Sequence, residues 1–122
     1  MHSLTSGDLH LEVAYQLPAK IVEVWWRGTS DHRRPSAVLE PFFRGLLAEA
    51  SAEGLTIAMH FETIEFFNSA TIGSIVQLIV DARAAKVTLT LFYRATERWQ
   101  ASSFKAMSAF EKSDGLIQFR GI

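Results

Sequence analysis

The stretch of the chain richest in usable chemistry is Glu65-Phe66-Phe67-Asn68-Ser69-Ala70-Thr71-Ile72-Gly73-Ser74, where an apolar strand end runs directly into a helix start crowded with small hydroxyl residues. The first amides of a helix have no intrahelical acceptor and lie at the positive end of its dipole, so negative charge is well received there. A phosphate on one of these hydroxyls would bring about −1.5 to −2 charges to that surface and change what it binds without unfolding the chain. The same residues also have a purely structural reading. In it, Asn68 or Ser69 caps the helix and Gly73 lets the helix pack closely on a sheet.

No other segment assembles a reactive centre. His2, His10, His32 and His60 fall in separate segments with no i, i+4 pair and no carboxylate at metal-ligand spacing, and they read as surface or strand-face imidazoles. Glycine patterns for a dinucleotide or P-loop phosphate cradle are missing. Glu62 and Glu65 flank Ile64 and read as solvated loop charges, and Arg33-Arg34 as a solvated loop that an acidic partner or a phosphate would meet. With no cysteine there is no disulfide framework, thiolate zinc site or cysteine nucleophile. No nucleophile and base pair up, so neither enzymatic activity nor a metal or cofactor is expected.

The elements that must hold this segment come from the periodicity. Leu9, Leu11, Val13 and Tyr15 alternate with His10, Glu12 and Ala14, and Lys20 to Arg27 follows after a break at Leu17-Pro18-Ala19, which predicts an antiparallel hairpin. Leu39, Phe42, Phe43, Leu46, Leu47 and Ala50 recur at helical spacing; the helix is placed from Glu40-Pro41 to Gly54, since proline suits a first turn and a start at Ser36 would kink it. Leu55 to Phe61 alternates as a strand whose apolar character continues through Ile64 to Phe67 into a loop. A helix then begins at Asn68-Ser69 and ends near Lys86, with Ile72, Ile75, Val76 and Ile79 buried and Ser74, Gln77 and Asp81 on the wetter side. Val87 to Tyr93 is a strand, Thr96 caps a third helix bearing Trp99, Phe104, Met107 and Phe110, and Leu116 to Phe119 closes the chain as a strand. Trp99 reads as core or as an interface anchor. The order β-β-α-β-α-β-α-β calls for a mixed-sheet α/β fold with right-handed crossovers.

Composition agrees with that class. At 122 residues, 48% hydrophobic and 20% charged, with 9 Phe, 3 Trp and 2 Tyr, the chain is expected to form a single domain spanning residues 1–122 with a real core. A net charge of −1 argues against the basic footprint of nucleic-acid binding. The N-terminal residues lack an export signature and no apolar run reaches the length of a membrane span, so a cytoplasmic location without membrane contact is expected.

At Phe67-Asn68-Ser69-Ala70-Thr71-Ile72-Gly73 the chain resembles the STAS domain of bacterial anti-sigma factor antagonists, in which an apolar residue precedes Asp-Ser-Ser/Thr-Gly-Leu-Gly at the start of a helix. Asn68 stands where that family has aspartate, Ala70 replaces its second hydroxyl residue and Thr71 its glycine, so Ser69 and Gly73 are the strict matches. The resemblance extends from Leu9 to Phe119 in element order, and implies a STAS-like mixed β-sheet with an N-terminal antiparallel hairpin and helices packed against it. It also implies partner switching: Ser69 phosphorylated by an anti-sigma-type serine/threonine kinase, dephosphorylated by a metal-dependent phosphatase, with Thr71 a secondary acceptor. Asn68, Ser69, Thr71, Gly73, Ser74 and Gln77 would form the docking surface. Phe66-Phe67-Asn68-Ser69 and Leu91-Phe92-Tyr93 are similar to a smaller group of STAS-like biofilm regulators that activate a diguanylate cyclase when unphosphorylated. The resemblance therefore leaves the downstream partner open between an anti-sigma factor and a diguanylate cyclase. A STAS-like domain that binds a small ligand, with Ser69 only a helix cap, is the alternative.

Overall fold

The computed structural model describes residues 1–122. Seven strands and three helices run in the order β1 (Leu4–Ser6), β2 (Leu9–Gln16), β3 (Ile21–Ser30), α1 (Ser36–Glu53), β4 (Thr56–His60), β5 (Ile64–Phe67), α2 (Ser69–Ala84), β6 (Leu89–Tyr93), α3 (Arg98–Met107) and β7 (Ile117–Gly121), with short 3-10 turns at Leu17–Ala19 and Ser108–Phe110. The sheet order is β1-β2-β3-β4-β6-β7, antiparallel through β3 and parallel beyond it. No helix is long and apolar enough to cross a membrane.

β3 carries two partners on one side. Its first half, Ile21 to Trp25, pairs with β4, and its end pairs with β5 from Gly28 to Ser30, with a register break between Gly28 and Thr29. Gly28 makes this break possible: its φ is +82°, and a Cβ there would lie 1.9 Å from the Asp8 carbonyl oxygen, which accepts the Thr29 amide.

Strand alternation assigns the two faces. Val22, Val24 and Trp26 of β3, Ile57 and Met59 of β4, Leu89 and Leu91 of β6 and Ile117 of β7 join Leu39, Phe43 and Leu46 of α1, Ile75, Leu78 and Ile79 of α2 and Phe104 of α3 in one cluster of 27 buried residues. All three helices therefore cover the same face. Trp26 sits near its middle, its ring 4.8 Å from Phe61 and 6.1 Å from Phe43.

Several expectations change. α1 begins at Ser36, one turn before the expected Glu40-Pro41 start, because buried Pro35 already has helical angles and its carbonyl accepts the Leu39 amide at 2.8 Å, drawing Leu39 into the core. Pro41 then lies inside the helix. Ile64 to Phe67 is a strand, and Leu4 to Ser6 pairs with β2 to add another. The buried stripe of α2 is rotated to Thr71, Ser74, Ile75, Leu78, Ile79 and Ala82, leaving Ile72 and Val76 half-buried. Thr96 does not cap α3; Glu97 holds that position without a side-chain bond. The phase of α3 is set by Gln100, buried with its Nε2 donating to the Phe61 carbonyl at 2.9 Å and its Oε1 accepting the Arg94 amide at 2.8 Å. Phe110, beyond the helix, is exposed.

Candidate functional site: the start of helix α2

β5 delivers the chain to this site. Phe67 is buried opposite Ser30 of β3, Asn68 is half-buried and extended (φ −87°, ψ 176°), and Ser69 is exposed as the first residue of α2. The Asn68 amide donates to the Ser30 carbonyl at 3.0 Å. Its side chain works in two directions: Oδ1 accepts from the Thr71 amide at 2.9 Å and the Thr71 hydroxyl at 2.8 Å, while Nδ2 donates to the His32 carbonyl at 2.9 Å. Thr71 Oγ1 also lies 2.7 Å from Ser30 Oγ, both fully buried. With Thr71 donating to Asn68, Ser30 is the donor to Thr71, and the chain of bonds is satisfied.

This network sorts the expected site residues. Asn68 is the cap and the tie to the His32–Arg34 loop, whose two arginines are exposed. Ser69 carries an exposed hydroxyl that bonds to nothing in the protein, beside its own amide and that of Ala70, which have no acceptor. Thr71 is withdrawn: at 0% exposure its hydroxyl is closed to a kinase, contrary to its role as a secondary acceptor. Ser74, expected on the wetter side and on the docking face, is buried too, because the stripe of α2 turns it toward α1, where with Gln77, Glu40 and Arg44 it lines a groove of about 300 Å³. Gln77 is exposed and donates to Asp81. Gly73 is exposed, and a Cβ on it would meet no atom within 4 Å, so it serves no close packing against the sheet. Its bareness flattens the outer surface of the helix beside Ser69.

Other features were not anticipated. Phe66, 48% exposed, faces away from the core at the end of β5, 5.9 Å from Trp99, which in turn packs edge-on to Phe67 at 5.0 Å. Trp99 is thus half core and half rim of an apolar ledge that it forms with exposed Phe66. The Phe66-Phe67 pair held the signal, since neighbours on a strand point to opposite sides. Ser30 had none, being one serine in a loop-like run. Glu62, expected to be solvated, is largely buried and accepts from His60 Nδ1 at 3.1 Å, while Glu65 is exposed as expected. Nowhere do three His, Asp or Glu side chains converge as metal ligands.

No family model matches the chain, and no curated protein matches it. Among solved structures it is similar to the anti-sigma factor antagonist SpoIIAA in its unphosphorylated form, with a TM-score of 0.57 and 17% identity over 93% of this chain and 88% of that one. The Bacillus cell fate determinant SpoIIAA in its phosphorylated form matches with a TM-score of 0.55 and 16% identity over 89% of each chain. The fold is STAS-like. The hairpin start, the parallel remainder and the helices packed against the sheet are as the element order led us to expect; that all three helices share one face of this STAS-like chain is added by the structure. At 16–17% identity, the likeness to SpoIIAA is one of fold.

Proposed function

We propose that this chain is a single-domain partner-switching regulator without enzymatic activity, acting in the cytoplasm through reversible phosphorylation of Ser69. The observation that carries the reading is the contrast within one helical turn: Ser69 presents an exposed, unengaged hydroxyl, whereas Thr71 is locked into the Ser30–Asn68 network. A kinase needs the first arrangement and is refused by the second. Support also comes from the fold, which is similar to that of SpoIIAA, a protein solved in unphosphorylated and phosphorylated forms.

The mechanism is electrostatic gating. With Ser69 bare, the surface of Asn68, Ser69, Ala70, Gly73 and Gln77 carries no formal charge and is built mostly of small side chains, so a protein partner can dry it. A phosphate is stabilised at the helix start but brings charge that a partner must desolvate, so the docked complex loses its advantage. The partners are a serine/threonine kinase of anti-sigma type, a metal-dependent phosphatase, and a downstream anti-sigma factor or diguanylate cyclase. Immobilised wild-type, Ser69→Ala and Ser69→Asp chains, exposed to extract of the cells that make the protein, test the gate. At least one protein is expected on the first two and lost from the third. Identical retained sets on all three would overturn the reading.

A further inference from the structure

The face of the sheet opposite the helices has its own order. None of its residues belongs to the core cluster: Ala58 is buried, yet it is the one buried hydrophobic residue outside that cluster, shaded by its neighbours on this face. Strand registers align Glu12, Trp25, His60, Phe92 and Arg120 in a single row across β2, β3, β4, β6 and β7. The three middle rings stand parallel, Trp25 to His60 at 3.8 Å and 5°, His60 to Phe92 at 4.7 Å and 8°. Glu23 receives the Trp25 Nε1 proton at 3.1 Å and lies 3.9 Å from His60 Nε2, and Glu62 holds the other imidazole nitrogen.

The charge on this row is asymmetric. On the β2–β3 side there are two carboxylates and one arginine: Arg27 lies 3.6 Å from Glu12, while Glu23 meets Trp25 and His60 and no arginine or lysine. On the β7 side Arg120 touches only the neutral Gln118. The ends of the row lie four strand spacings apart, roughly 19 Å. A row that reads acid, aromatic, imidazole, aromatic, base is complementary to itself when turned about an axis along its central strand. We propose that two copies of this chain associate through this face, sheet on sheet, about a two-fold axis parallel to β4. Such a rotation sets Glu12 of each copy against Arg120 of the other and Trp25 against Phe92, with His60 on the axis. Two sheets packed this way lie about 10 Å apart with strands within about 30°. α2 and Ser69 remain on the outer, helical sides, so the association stands apart from the phosphorylation reading.

Sedimentation velocity of the full chain over a range of concentrations tests it, using Glu12→Arg, Arg120→Glu and an equimolar mixture of those two variants. Both positions are exposed, so the fold is retained. Wild type is expected to form dimers, and each single reversal to weaken them by on the order of tenfold by setting like charges together at both ends of the row. The mixture is expected to recover wild-type association, because a mixed pair meets opposite charges at both ends. A wild type that stays monomeric, a dimer indifferent to both reversals, or a mixture no tighter than its components would each overturn the proposal.

Discussion

Ser30 and Thr71, 41 residues apart in sequence, share a 2.7 Å hydrogen bond in the buried interior, and it is this bond that seats the first turn of α2 on the end of β3. Through Asn68 the same network reaches the His32 carbonyl, so strand, loop and helix start are fixed relative to one another. Ser69 is the residue left outside it.

Thr71→Val leaves the buried Ser30 hydroxyl without its partner and is expected to destabilise the fold by about 1–3 kcal/mol, whereas Ser30→Ala leaves Thr71 still donating to Asn68 and is expected to cost about 1 kcal/mol. Because both changes break one shared bond, the double variant is expected to lose less than the sum. Urea unfolding of the four proteins measures this; full additivity would mean that the two hydroxyls do not depend on each other.

Asn68→Asp separates two duties that asparagine combines. The carboxylate still caps α2, but it has no proton to donate to the His32 carbonyl. Helix stability is expected to hold while the loop loosens, read as faster tryptic cleavage between Arg33 and Arg34. Asn68→Ala loses both functions and is expected to cost about 1 kcal/mol in addition.

Gly73→Ala distinguishes a docking residue from a packing residue. The new methyl meets nothing within 4 Å, so the isolated chain is expected to gain about 0.5–1 kcal/mol from helix propensity. A partner seated on that bare turn has to accommodate the methyl, so its binding is expected to weaken while the melting temperature rises. A gain in stability with unchanged binding would remove Gly73 from the surface.

The Tyr15–Glu49 contact makes stability depend on pH at both extremes. Burial, the hydrogen bond to Glu49 and that carboxylate's charge push the Tyr15 hydroxyl from 10.0 up to about 12. The bond from Tyr15 holds Glu49 below its ordinary value of 4.5, with burial opposing and the Met1 ammonium assisting. The tyrosine contribution is therefore complete below pH 10 and lost as pH rises toward 12. The Glu49 contribution is present above pH 4.5 and lost as pH falls through its lowered value. Thermal unfolding of wild type and Tyr15→Phe across pH is expected to show a difference that is widest near neutrality and shrinks at both ends; a constant difference would show that the contact does not carry the dependence.

Much of the architecture was legible because period-2 and helical patterns report which face is dry, and β2, β3, α1, β4, α2, β6 and α3 all follow such patterns. The errors lie where tertiary partners outweigh local pattern. Ile64 to Phe67 reads as a loop until the end of β3 is seen beside it, and Thr71 and Ser74 read as surface until Ser30 and α1 draw them in. Within the site, Ser69 was legible from its place at the helix start. The burial of Thr71 was not, since it depends on a serine from another strand. The aromatic row across the sheet was hidden for the same reason, each member being contributed by a different strand.

Phosphate mapping by tandem mass spectrometry on the chain recovered from the cells that make it, as wild type and as Ser69→Ala, decides whether Ser69 is the switch. A phosphorylated fraction of wild type is expected, with the phosphate on Ser69 and none on Thr71, and it is expected to disappear in Ser69→Ala. A Ser69 that carries no phosphate under any growth condition, or a phosphate placed on Thr71, would contradict that role.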